Sequence, residues 1–172
     1  SAAAQTQIRP LPLQPMEVRR LLSADSEQAI AEVIVSLVAD RIDVDRCVFA
    51  RAHGTTFTVE ATASVETPIE PAVLPLQEGL LSQSFTRRRS CVIDDRLDVR
   101  SRATGMGPDE APKCRSLLFV PFADLGIVAA IADPPGRFDE ADRQVAEEIV
   151  SLGERALDQP SARLRVAFVL LH

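Results

Sequence analysis

Three cysteines and a cluster of arginines are the residues in this sequence that could do chemistry. Cys47, Cys91 and Cys114 are an odd number and lie far apart. No pair shows the two- to four-residue separation, roughly, of a zinc knuckle. Each reads as a small buried hydrophobe, because free cysteine is among the most buried residue types. The basic residues are more pointed. Arg87, Arg88, Arg89, Arg96, Arg100, Arg102, Lys113 and Arg115 fall in one segment, against Asp94, Asp95, Asp98, Asp109 and Glu110. That segment is net positive in a chain of net charge -6. Guanidinium forks match carboxylate and phosphate geometry, so a positively biased segment over an apolar floor favours an anionic or polar small molecule. Arg87–Arg89 read equally as a solvated helix end, where cations suit the helix dipole. Arg115 is different. It opens an apolar strand and shares a face with Leu117 and Phe119, so its head points at a pocket rim or an acidic partner.

Composition limits what those residues could serve. The length of 172 residues suits one domain, and 46% hydrophobic with 26% charged residues suits a folded one. The acidic balance argues against a general nucleic-acid binder, so no direct nucleic-acid contact is expected. The longest apolar runs, near Ile127–Ala132 and Val166–Leu171, are far short of the ~20 residues of a membrane span. No membrane association is expected. No positively charged start leads into an apolar stretch, so a cytoplasmic setting with reduced thiols is expected.

The elements that must position these residues follow from periodicity. Residues 1–15 carry Pro10, Pro12 and Pro15 and read as a tail, a linker or a cloning remnant. Ile30, Val33, Ile34, Leu37 and Val38 fall on one helical face, predicting a helix over 24–40, with room for an earlier turn over 16–22. Ser23 or Asp25 is its expected cap, with Gln28 closing a capping box. Strands are expected at Arg46–Ala52 and Thr55–Ala63, turned at His53-Gly54. A proline-marked loop precedes a short helix from Gly79 to Arg88, whose apolar side is Leu80, Leu81 and Phe85. Ser90–Ile93 is a further strand. Residues 94–113, with Gly105 and Gly107 as hinge points, read as a lid or binding loop, since loops of ~20 residues are uncommon otherwise. Arg115–Phe122 and Gly126–Ala132 are apolar on both faces and predict a covered sheet centre. Asp139 caps a helix from Glu140 to Leu157, in which Val145, Ile149, Leu152 and Ala156 repeat at 4-3-4 spacing. That spacing is coiled-coil-like and predicts a homodimer through the terminal helices. Residues 159–172 are left as a C-terminal extension or a linker to an output domain.

Four motifs in order carry a family resemblance over roughly residues 24–158. They are Gly79 with the helix leading to Ser90-Cys91-Val92-Ile93-Asp94-Asp95, the strand Arg115-Ser116-Leu117-Leu118-Phe119-Val120-Pro121-Phe122, the partner strand Gly126–Ala132, and Phe138-Asp139-Glu140-Ala141-Asp142. Together they resemble a GAF domain of the kind found in archaeal and bacterial sensor kinases and one-component transcription regulators. The resemblance implies an α+β, PAS-like fold over residues 16–158. It implies a central antiparallel sheet of five or six strands, terminal helices on one face and a lid-covered pocket on the other.

The ligand classes bound within that family can be tested against residues. Haem needs an axial ligand, yet the two histidines are His53, in a hairpin turn, and His172, at the terminus. Bilin binding would need a pocket Cys beside a His or an Asp-x-Pro motif, and neither is present. The cyclic-nucleotide signature is matched at Phe138 and Asp142, but Arg143 replaces its Glu and its Asn and Lys are missing. Those two residues read as core packing and helix capping. Free methionine-R-sulfoxide reductase, a GAF-fold enzyme with three functional cysteines, is the enzymatic alternative. It would use a low-pKa thiolate and a resolving cysteine. The cysteine positions here disagree with that pattern.

The resulting expectation is a non-catalytic sensory module, with no metal and with the identity of any cofactor or ligand left open. The expected ligand-binding residues are Phe85, Leu117 and Phe119 as floor, with Arg96, Arg102 and Arg115 as cations. A purely structural dimerisation module is the alternative of a different class.

Overall fold

The computed structural model describes residues 13–54, 56–64, 78–95 and 115–158. Its elements are α1 (Pro15–Ser23), α2 (Glu27–Arg41), β1 (Arg46–His53), β2 (Thr56–Ser64), α3 (Glu78–Arg87), β3 (Cys91–Ile93), β4 (Ser116–Phe122), β5 (Gly126–Ala132) and α4 (Glu140–Leu157). The strands form one antiparallel sheet in the order β2-β1-β5-β4-β3. β5 is central, and every residue of it is buried. That matches the strand pair apolar on both faces.

Alternation along the strands divides two cores. Cys47 and Phe49 of β1, Leu118, Val120 and Phe122 of β4, and Val128, Ala130 and Ala132 of β5 face α1, α2 and α4. Val48, Leu117, Phe119, Ile127, Ala129 and Ile131 face the other way, with Leu81 of α3. This period of two is the geometry of a pleated strand. On the helix side Phe49 and Phe122 meet edge to face, with ring centroids 5.7 Å apart. Gly153 lets α4 cross α2 closely, since a Cβ there would lie 2.4 Å from Ile34 Cδ1.

The helix expected over 24–40 is α2, and the earlier turn allowed over 16–22 is a separate helix, α1. The chain is extended at Ala24 and at Ser26, which separates α1 from α2. The cap of α2 is Ser26, whose side chain accepts from Ala29 N at 3.0 Å; it is neither Ser23 nor Asp25. Gln28 does not close a capping box. Its Nε2 donates to Glu60 O on β2 at 2.7 Å, a long-range bond that competes with the local one. α1 begins at Pro15, a residue first grouped with the tail, because proline suits the first helical position. α1 is held over α2 and α4 by the fully buried Leu21 and by the Arg41–Glu17 ion pair. That pair holds the Glu17 carboxyl below the usual carboxylate range.

The C-terminal helix matches its expected bounds. Asp139 and Asp142 form a reciprocal capping box at its start. Of the 4-3-4 series, Ile149 and Ala156 are buried, while Val145 and Leu152 pack partly buried against the same core. The apolar stripe is therefore largely used within the chain. Met16 and Leu22 of α1 are the large hydrophobic side chains left exposed among the described residues.

Candidate ligand-binding site

The α3 side of the sheet brings together three of the six residues expected to bind ligand. Leu117 and Phe119 lie in the sheet floor, and Phe85 of α3 packs against the same cluster. Phe85 meets Phe57 of β2 edge to face at 5.9 Å. Val48, Phe57, Val59, Ile93, Ile127 and Ile131 belong to this face as well. Sequence reasoning passed over them, although the alternation that selected Leu117 and Phe119 applies equally to Val48, Ile127 and Ile131. Arg96 and Arg102, with Gly105, Gly107 and Cys114, lie outside the described residues.

Arg115 stands at one end of this apolar face. Its Nε donates to Asp95 Oδ1 at 3.1 Å and its Nη2 to Asp95 Oδ2, a two-point ion pair. The sheet register explains the pairing. Cys91 stands opposite Phe119 and Ile93 opposite Leu117. Carried just past the ends of β3 and β4, the same register would set Asp95 opposite Arg115, and there their side chains meet. The Asp95 side chain is 13% exposed and that of Arg115 29%. A guanidinium-carboxylate fork in this setting is stronger and more directional than an exposed ion pair.

The backbone beside the pair is pinned. Asp94 O accepts from Gly136 N at 2.7 Å. Ser116, fully buried, donates from Oγ to Pro134 O at 2.6 Å and accepts from Arg137 N at 3.0 Å. Its Oγ also lies 3.3 Å from Asp94 O. One hydroxyl thus ties the end of β3 and the start of β4 to the chain leading into α4. Nothing in the sequence pattern assigned Ser116 this work; its position inside an apolar strand was the available signal.

Burial favours the neutral form of both thiols among the described residues. Cys47 is fully buried in the helix-side core, and burial pushes its pKa far up. Cys91 lies half-buried against the α3-side cluster, and burial raises it too. His53 is exposed in the β1–β2 turn, where Gly54 takes φ +63°. Arg88 folds back over the Phe85 ring, 5.2 Å from its centroid, and donates to Ala123 O. Arg87 and Arg89 are exposed at the end of α3, as a solvated helix end would be. No group of His, Cys, Asp and Glu among the described residues could hold a metal ion.

Among the described residues, two open clefts lie elsewhere. One, of about 410 Å³, runs between α4 and the β3–β4 edge and is lined by Arg88, Ser90, Pro121, Glu147 and Glu154 among others. The second, of about 390 Å³, lies by the start of α2 and the end of α4. In the first cleft the polar groups already serve one another: Ser90 bonds Glu147, and Glu154 accepts from Ala123 N at 2.8 Å.

The fold, its two-sided sheet and the order of its motifs define a class. The GAF domain model matches residues 24–158, and the chain belongs to that family. Among solved structures it is similar to the GAF domain of PixJ from Thermosynechococcus elongatus, with 19% identity, 93% of this chain and 98% of that chain covered, and a TM-score of 0.60. It is similar to the GAF domain of an Acinetobacter phosphoenolpyruvate-protein phosphotransferase, at 20% identity, 87% and 97% coverage and a TM-score of 0.62. It is also similar to free methionine-R-sulfoxide reductase from Neisseria meningitidis in complex with its substrate, at 16% identity, 84% and 85% coverage and a TM-score of 0.62. At these identities the likeness is one of fold. A search of curated proteins finds no match. No helix among the described residues is long and apolar enough to cross a membrane.

Proposed function

We propose that this GAF domain is a non-catalytic sensory module that binds a small anionic or polar ligand on the α3 side of its sheet. The observation that carries the reading is Arg115, a guanidinium at the edge of an apolar floor formed by Leu117, Phe119, Phe85 and Ile93. Burial disfavours the thiolate forms of Cys47 and Cys91, which weighs against the reductase alternative. Ligand binding would shift the packing of the terminal helices, and those helices would pass the shift to an attached output domain.

The test is calorimetry on carboxylates and phosphates selected by a thermal-shift screen. Arg115→Ala should weaken such a ligand by ~1.5–3 kcal/mol, the worth of a charge-assisted hydrogen bond. Unchanged affinity, with the fold intact by circular dichroism, would mean that Arg115 serves only to hold Asp95.

The module is proposed to act as a homodimer through its terminal helices, with Met16 and Leu22 of α1 as the exposed apolar side chains available to it. Light scattering at high micromolar concentration should show a dimer, and a monomer throughout would remove this part of the reading.

A further inference from the structure

Among the described residues, two that are not glycine hold a left-handed backbone, Arg88 at φ +54° and Ala123 at φ +47°. Both stand where glycine is the usual choice. Arg88 follows the last residue of α3. Its N donates to Phe85 O at 3.3 Å and Arg89 N donates to Ser84 O at 3.2 Å, the paired bonds of a left-handed helix end. Ala123 is the first central residue of the β4–β5 turn, which Leu125 N closes by donating to Phe122 O at 3.1 Å. A left-handed backbone costs a residue with a Cβ free energy that glycine does not lose, so it persists only where neighbours hold it.

The two strained residues touch. Arg88 lies over the Phe85 ring and donates from Nη1 to Ala123 O. Glu154 of α4 accepts from Ala123 N at 2.8 Å. Side chains from two different segments therefore pin the peptide groups before and after the Ala123 Cα. α3 covers the face of Leu117 and Phe119, and α4 covers that of Leu118 and Val120. Arg88, Ala123 and Glu154 line the same cleft, so on that side the turn borders open space.

We propose that Arg88, Ala123 and Glu154 form a two-state relay that joins the end of α3 to the end of α4 around the end of the sheet. In the held state both clamps are made and Ala123 is left-handed. When either clamp is lost the turn relaxes, which swings the Ala123 N–H and C=O and releases the other clamp. The strained turn is the bistable element that both helix ends bias. The relay needs no ligand. It rests on the proposed reading only for its use, since a ligand that shifted α3 would reach α4 by this route.

A double-mutant cycle on the full chain, read by urea denaturation, tests the relay. Arg88→Met keeps an apolar stem beside Phe85 and removes the donor, while Glu154→Ala removes the acceptor. Once one clamp is gone the other has little left to hold. The double variant should therefore unfold at least about threefold less readily than the product of the two single effects predicts. Ala123→Gly removes the cost of the left-handed state, so in that background the two effects should multiply to within about twofold. Amide hydrogen exchange gives a second reading. Glu154→Ala should speed exchange at Arg88 N and Arg89 N, beyond the turn from α4, by at least about threefold, and should not do so in the Ala123→Gly background. Glu147→Ala is the control. Glu147 lines the same cleft but takes the Ser90 hydroxyl, so it should combine independently with Arg88→Met. Independent effects of Arg88→Met and Glu154→Ala, coupling that survives Ala123→Gly, equal coupling from Glu147→Ala, or unchanged exchange at Arg88 and Arg89 overturns the relay. Any of these leaves the anion-binding reading standing, and a ligand screen that finds nothing leaves the relay standing.

Discussion

Replacing Gly126 with alanine should cost at least ~4 kcal/mol, in the range reserved for named structural faults. A Cβ at this position would lie 2.1 Å from Ala50 O and 2.9 Å from Arg51 Cα. Both are backbone atoms of β1, so neither can swing aside as a side-chain end would. Relief would require β1 and β5 to part, and their pairing holds the β1–β2 hairpin to the rest of the sheet through Ala50↔Ile127 and Arg51↔Gly126. Against a typical domain stability of ~5–15 kcal/mol, such a loss leaves a large part of the protein unfolded or marginal. Urea denaturation followed by circular dichroism measures it. Gly54→Ala is the control. Gly54 has φ +63° with nothing within 4 Å of an added Cβ, so that change should cost only the ~1–2 kcal/mol of a left-handed alanine. Equal losses at the two glycines would show that close strand approach is not what position 126 requires.

Much of this architecture was legible because one signal dominated locally. β4 and β5 are apolar at nearly every position, which only a sheet covered on both sides accommodates. Asp139 precedes a long amphipathic run with Asp142 three residues on, and it is the cap found. His53-Gly54 turns the first hairpin as its residues require. Where several residues could play one part, local reasoning had no way to choose. Ser23, Asp25 and Ser26 are all competent caps, and the contest was decided by packing and by Gln28 reaching Glu60 O across the sheet. The site shows the same division. Alternation alone put Leu117 and Phe119 on one face with Arg115. The partner of Arg115 depended on the register of a three-residue strand, β3, too short for its pattern to distinguish Asp94 from Asp95. Register is a property of two strands together and cannot be read from one. The remaining cations of the candidate site, Arg96 and Arg102, fall outside the described residues.

Truncating Phe119 asks whether the α3-side face is a floor for ligand or a core in its own right. Phe119 is 1% exposed and packs in the cluster that includes Leu81, Ile93 and Leu117. A side chain so enclosed should behave as a core phenylalanine, and Phe119→Ala should lower stability by ~3–5 kcal/mol. A residue left uncovered until ligand arrives would lose far less, because its apolar surface would already face water in the free protein. Phe85 supplies the comparison. It is only partly buried at the outer side of the cluster, so Phe85→Ala should cost distinctly less than Phe119→Ala. The two losses, measured by chemical denaturation without ligand, separate the two readings of the domain. A large loss at Phe119 with a modest one at Phe85 means that the deep floor is permanently filled. Ligand would then contact the Arg115–Asp95 end and the Phe85 rim, and not displace the floor. Small losses at both positions would mean an open cavity over the sheet, and a ligand could then reach Phe119 itself. Large and equal losses would favour a closed face with structural duty alone, the dimerisation module without ligand. The Arg115–Asp95 pair would then be one more strand-end tie, alongside the bonds that Ser116 makes.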